Sequence, residues 1–260
     1  MTTQNTNNTN TEKNWMDATG EKFPLTLESG YWKIIESNIF QWATEASSNP
    51  LWTAASRELP KWQTEYVART RARLLSQVSL PVFVPKSCES IKDKISRKFF
   101  AKRDATDLFS GAFPVPMLGD LVRTRIRCNY IDGVDYIAKK LMDLAKSENI
   151  SATLERQGKI EGYYAQHINI EIDAFLRVSG AAIPIKVKAE IQIASDMATK
   201  MWDASHGLYE LTRGKSSDAQ EWQWDPSDPR FIANQLGHMV HLADGLLVQL
   251  RDIQASKEKK

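Results

Sequence analysis

The sequence predicts an α+β fold, a mixed β-sheet with flanking helices. Three observations carry that prediction. Segments that alternate with period two lie between segments of helical periodicity. Each alternating segment is apolar on one side and strongly polar on the other. The remaining helical segments gather at the two ends of the chain. Helices then cover one face of the sheet, and the other face is left for a site.

Residues 1–13 are rich in Asn and Thr, have almost nothing to bury, and are expected to form a disordered tail. Residues 14–79 form an N-terminal helical region. Ile34, Ile35, Ile39 and Trp42 carry one stripe; Leu59-Pro60 reads as a helix start, after which Trp62, Tyr66, Val67 and Leu74 carry another. Stripes of this kind usually pack a core. Residues 80–214 form the central unit. Val122, Thr124, Ile126 and Cys128 alternate with Arg123, Arg125 and Arg127, giving a strand with an arginine face. A helix follows, with Val134, Ile137, Ala138, Leu141 and Leu144 on one side. A second strand turns Ile168, Ile170 and Ile172 inward and His167, Asn169, Glu171 and Asp173 outward. A third has Ile183 to Ile193 on one face and Lys186, Lys188, Glu190 and Gln192 on the other.

Ser195 is the expected cap of a helix running to about Gly214. Residues 215–260 form a C-terminal helical region whose last helix opens at Asp228-Pro229. Ile232, Leu236, Met239, Ala243, Leu246, Leu250 and Ile253 follow at spacings of four and three, which makes a packing seam. The seam is expected to pack within the chain, with a homo-oligomer through this helix as the alternative.

Composition excludes several classes. Lys and Arg number 34 against 32 Asp and Glu, so the chain lacks the global excess of a nucleic-acid binder. Two cysteines, Cys88 and Cys128, are too few for a secreted disulfide framework. No apolar run is long enough to span a membrane, and the start does not read as a signal peptide, so the expected location is cytoplasmic.

Charge is nevertheless concentrated locally. Lys86, Lys92, Lys94, Arg97, Lys98, Lys102 and Arg103 precede the arginine strand, opposed only by Glu89 and Asp93. A basic segment able to fold back over an arginine face points to a polyphosphate ligand. Asp120, at the mouth of the arginine strand, and Glu190, on an otherwise basic face, are suited to hold Mg²⁺ against phosphate oxygens, and one of them to accept a hydroxyl proton. Gly214-Lys215-Ser216 lacks the earlier glycine of a P-loop and follows a helix instead of leading one. His238 and His241 have no evident third metal ligand and read as packing or surface histidines.

Four segments resemble the synthetase domain of RelA/SpoT-type alarmone synthetases, particularly the small single-domain forms. Lys86-Ser87-Cys88-Glu89-Ser90-Ile91-Lys92-Asp93-Lys94 is similar to that family's basic loop, and Asp120 to Arg125 to its D-x-x-G-x-R strand. Gly162-Tyr163-Tyr164-Ala165-Gln166-His167 is similar to its G-Y-R-S-x-H acceptor loop. Ala189-Glu190-Ile191-Gln192-Ile193, with His206 and Leu208 beyond, is similar to its V-E-I-Q-I strand and following helix. The resemblance implies a nucleotidyltransferase-like fold and transfer of pyrophosphate from ATP to the 3′-hydroxyl of GDP or GTP. It implies Mg²⁺ on Asp120 and Glu190, with Glu190 as base, and ATP contacts from Lys86, Ser90, Lys94, Arg125 and Arg127. Tyr163 would stack on the acceptor base, with His167 and Gln192 setting the site.

The sequence departs from the family pattern at Val84 (usually Arg), Arg123 (usually Gly), Tyr164-Ala165 (usually Arg-Ser) and Ala194 (usually Arg). Two alternatives follow: a toxin of the wider family that modifies adenine nucleotides or tRNA 3′ ends, with an antitoxin or immunity partner, and a nucleotide-binding module that has lost turnover.

Overall fold

The computed structural model describes residues 29–77, 79–91, 94, 118–158, 162–178, 180–212 and 221–257. In chain order the elements are α1 (Ser29–Ser47), α2 (Pro50–Thr70), β1 (Val84–Pro85), β2 (Val122–Cys128), α3 (Ile131–Ser147), β3 (Ala152–Gly158), β4 (Tyr164–Val178), β5 (Ala181–Ser195), α4 (Asp196–Thr212), a 3₁₀ turn (Glu221–Trp224) and α5 (Pro229–Lys257). The five strands form one mixed sheet in the order β1-β2-β5-β4-β3. Only β2 and β5 are parallel.

The apolar sides of the strands lie on one face, and Val122, Ile126, Ile168, Ile170, Ile191 and Ile193 are all buried there. Helix α3 turns Ile137, Ala138 and Leu141 onto that face, while α1 brings Ile35, Ile39 and Trp42. Burying such side chains contributes about 1.5–3 kcal/mol each before ordering costs. The indole of Trp42 donates to the Phe175 carbonyl at 2.9 Å, so burial leaves no polar atom unpaired.

The expected helix start at Pro60 is not observed: α2 runs unbroken from Pro50 to Thr70 with Pro60 inside it. Its start lies at Asn49, whose side chain accepts from Leu51 N at 3.0 Å, with Pro50 at the first position. Leu59, Trp62 and Tyr66 are buried on one continuous face, and that packing outweighs the hydrogen bond which the proline removes. Ser195 caps α4 as expected, its Oγ accepting from Ala198 N at 3.0 Å. Strand β3 had no sequence signal. Its chain, ALA-to-GLY ATLERQG, is half-exposed throughout and is held by pairing with β4.

The seam on α5 is not covered by the N-terminal helices. Ile232, Leu236, Met239, Leu246, Leu250 and Ile253 are exposed. The helix meets its own chain through other side chains: Gly237 lies against Gly162, the Asp244 carboxylate accepts from Ile131 N, and Arg251 pairs with Asp132. No helix among the described residues is long and apolar enough to cross a membrane.

Candidate active site

Register decides which side chains meet on the polar face. Arg123 of β2 stands beside Glu190 of β5, which stands beside Asn169 of β4 and then Thr153 of β3. One pleat along, Arg125, Gln192, His167 and Glu155 form the next row. Two cross-strand rows of polar groups therefore run over four strands, opposite the apolar core.

Asp120 sits where the chain enters β2, with φ of 64°, a left-handed conformation that Asp adopts more readily than most residues. β1 pairs with the start of β2, and the Lys86 N–H continues that pairing by donating to Leu121 O at 2.8 Å. Lys86 is thereby fixed beside Asp120, its Nζ donating to Oδ2 at 2.9 Å. Lys94 Nζ donates to the other carboxylate oxygen and to Gly119 O. Burial pushes the Asp120 carboxyl up, but Lys94 and Lys86 outweigh it and hold the group below its ordinary value. Lys86 is lowered, because it is buried and shares its one counter-ion with Lys94 while Arg123 adds positive charge.

Glu190 is bonded on both oxygens. His167 Nδ1 lies 3.3 Å from Oε2, and Gln192 Nε2 donates to Oε1 at 2.6 Å. Burial raises this carboxyl; the hydrogen bond and charge of His167, and then Gln192, outweigh burial and bring it below the ordinary range. Asp120 acts in the opposite direction on it, so the two carboxylates feel one another. Both line an open cleft of about 470 Å³, with Lys94, Lys188, Asn169 and Glu155 on its walls.

The chain of bonds continues beyond Glu190. Tyr163 OH is 2.9 Å from His167 Nε2, giving a Tyr163–His167–Glu190 relay. The Tyr163 ring also packs on Trp202 of α4, with centroids 4.6 Å apart. Burial raises its phenol to about 12. Tyr163 is therefore half-covered and not the bare aromatic that strand parity implies. Arg125 donates to Gln192 Oε1 at 3.3 Å and to Asp203 of α4 at 2.8 Å, while Arg127 is 3.7 Å from Asp203. Ser90 lies at the surface, where Ser87 Oγ donates to it at 2.9 Å.

The structure thus brings Lys86, Lys94, Asp120 and Glu190 to one cleft, and joins Arg125, Gln192, His167 and Tyr163 to it through bonds. Lys92, Arg97, Lys98, Lys102, Arg103 and the Gly214-Lys215-Ser216 segment lie outside the described residues. Trp202 and Asp203 were missed from sequence. They share no motif spacing with the strands, and only the turn from β5 into α4 returns them to the site. His238 and His241 are packing histidines: His241 stacks on Tyr164 at 3.6 Å, and His238 Nδ1 is 2.8 Å from Tyr164 OH.

Two carboxylates in one cleft suit Mg²⁺, which takes one or two carboxylates and completes its shell with water and phosphate oxygens. Among the described residues no three His, Cys, Asp or Glu side chains gather to hold a metal alone.

No protein-family model and no curated protein matches the chain. Solved structures do. A GTP pyrophosphokinase family protein from Streptococcus pneumoniae is similar at a TM-score of 0.54 and 16% identity, over 89% of this chain and 100% of that one. Small alarmone synthetase 2 from Bacillus subtilis is similar at 0.50 and 19%, over 77% and 91%. Small alarmone synthetase 1 from the same organism, bound to its product pppGpp, is similar at 0.50 and 16%, over 78% and 92%. The chain has the fold of these GTP pyrophosphokinase family proteins and small alarmone synthetases.

Proposed function

We propose that the protein is an Mg²⁺-dependent pyrophosphokinase that transfers the β,γ-pyrophosphate of ATP to the 3′-hydroxyl of GDP or GTP. The observation that carries this reading is the pairing of Asp120 with Lys86 and Lys94 in the same cleft as Glu190. Lys86 and Lys94 are phosphate ligands in waiting, and ATP oxygens would replace the Asp120 carboxylate as their partner. Asp120 and Glu190 would then hold Mg²⁺, which supplies charge neutralisation on the phosphate oxygens.

Glu190 is the base. Its pKa is held low by His167 and Gln192, so it is ionised near neutrality and able to take the 3′-hydroxyl proton. The freed oxygen forms a bond to the β-phosphorus as the bond from that phosphorus to the bridging oxygen breaks. AMP leaves with the electron pair. Tyr163, backed by Trp202, offers a ring against which the acceptor base stacks, and Arg125 and Arg127 extend the cationic face toward ATP.

A second acceptor reading has its own observation. Tyr164 stacks on His241 and Ala165 is buried, so neither presents a polar side chain to the cleft where the family pattern has Arg and Ser. An adenine nucleotide or a tRNA 3′ end is the alternative acceptor, and the protein would then be a toxin. Incubation with labelled ATP and, separately, GDP, GTP, ADP and bulk tRNA tests both. Label on GDP or GTP supports the first reading, label on ADP or tRNA the second, and no label on any acceptor leaves only nucleotide binding.

A further inference from the structure

Helix α5 is built inside out. The side chains it turns toward its own domain are polar or absent: Asn234, Gly237, His241, Asp244 and Arg251. The side chains it turns outward are apolar. Ile232, Leu236, Met239, Leu246, Leu250 and Ile253 follow the four-three spacing with Ala243 at the centre, and Leu242 and Leu247 flank them. These eight large residues are 41% to 64% exposed. A four-three repeat held over three heptads is the pattern of helix packed on helix. The helices that α5 touches within the chain, α2, α3 and α4, lie on its other side.

We propose that α5 pairs with α5 of a second copy of this chain, forming a two-fold symmetric dimer. Three features select that occupant. A heptad seam is filled by another seam, and this chain carries one on α5 itself. A symmetric interface sets each patch against itself, so any net charge in it would repel. Between Ile232 and Leu250 the only charged residue is Asp244, which is buried on the inner face, and Gln235 and Gln249 border the stripe. A membrane-surface helix would instead carry Lys and Arg along its polar side. Area is also adequate. Eight half-open side chains expose on the order of 800 Å² per copy, the contribution of each partner to an interface of standard size. The helix has 29 residues, about 43 Å of length, which suffices for the whole seam.

Sedimentation equilibrium of the full-length protein without nucleotide tests the proposal. The expected mass is twice 29.5 kDa. The double variant Leu246→Glu/Leu250→Glu should sediment as a monomer, with the helical circular-dichroism signal of the wild type. Hydroxyl-radical footprinting of the wild type provides a readout independent of any variant: Leu246 and Leu250 should be protected in the dimer and lose protection on dilution. A monomeric wild type overturns the proposal, as does a double variant that remains dimeric. Protection that persists in a monomer also overturns it, because a segment of the same chain would then cover the stripe.

Discussion

Lys86 is held against Asp120 twice, by its backbone N–H to Leu121 O at 2.8 Å and by its Nζ to Asp120 Oδ2 at 2.9 Å. Strand pairing therefore delivers a buried ammonium to the carboxylate at the mouth of β2. Lys94 reaches the same carboxylate from residues beyond β1 and is the more accessible of the two.

That difference separates two variants which the sequence alone treats as equivalent and exposed. Lys86→Ala and Lys94→Ala should both raise the KM for ATP by removing a charge-assisted phosphate contact. Lys86→Ala should in addition cost about 1–3 kcal/mol, because it leaves a partly buried carboxylate with one partner fewer. Thermal melts should show a drop of several degrees for Lys86→Ala and a smaller one for Lys94→Ala. Equal melting temperatures for both variants and wild type would refute the difference.

Stability should depend on pH through Asp120. Its folded-state carboxyl lies below the ordinary value, so the stabilisation it provides is complete above about pH 4 and is lost as pH falls through the folded value. The melting-temperature gap between wild type and Asp120→Asn should be constant near neutrality and close in acid. A gap that widens in acid would give the opposite sign.

Tyr163 has two roles that two variants resolve. Tyr163→Ala removes the ring and should raise the acceptor KM by about tenfold or more, leaving the KM for ATP alone. Tyr163→Phe keeps the ring and removes the bond to His167, so it should spare the acceptor KM and lower kcat through Glu190. Identical kinetics for Tyr163→Phe and wild type would show that the hydroxyl has no part in the relay.

The acceptor loop is also clamped from behind. A Cβ on Gly237 would lie 2.5 Å from Gly162 O, a backbone atom that cannot swing aside. Gly237→Ala should therefore lower stability by about 1–3 kcal/mol, the usual cost of overpacking, and the melting temperature by several degrees. An unchanged melting temperature would mean that the loop and α5 part easily.

Much of this was legible in the residues. The alternation at Val122–Cys128 and Ile183–Ile193 gave the two strands of the parallel pair, since apolar side chains at period two have one way to reach a core. The pairing itself was not legible, because register comes from contacts between distant strands. β3 escaped because Ala152–Gly158 buries little, and α2 was broken wrongly at Pro60 because local propensity was read without the face that holds the helix together. The seam on α5 was visible, but periodicity shows that a helix is apolar along one side and is silent on which molecule covers it. Asp203 and Trp202 approach the site only through the turn after Ser195.

The leaving nucleotide tests the central claim most directly. A pyrophosphokinase whose base is Glu190 should release AMP one-for-one with labelled 3′-pyrophosphorylated acceptor, and Glu190→Gln, folded as judged by its melting curve, should lower that rate by about two orders of magnitude or more. Release of ADP in place of AMP, or a Glu190→Gln protein that turns over at the wild-type rate, would contradict the account.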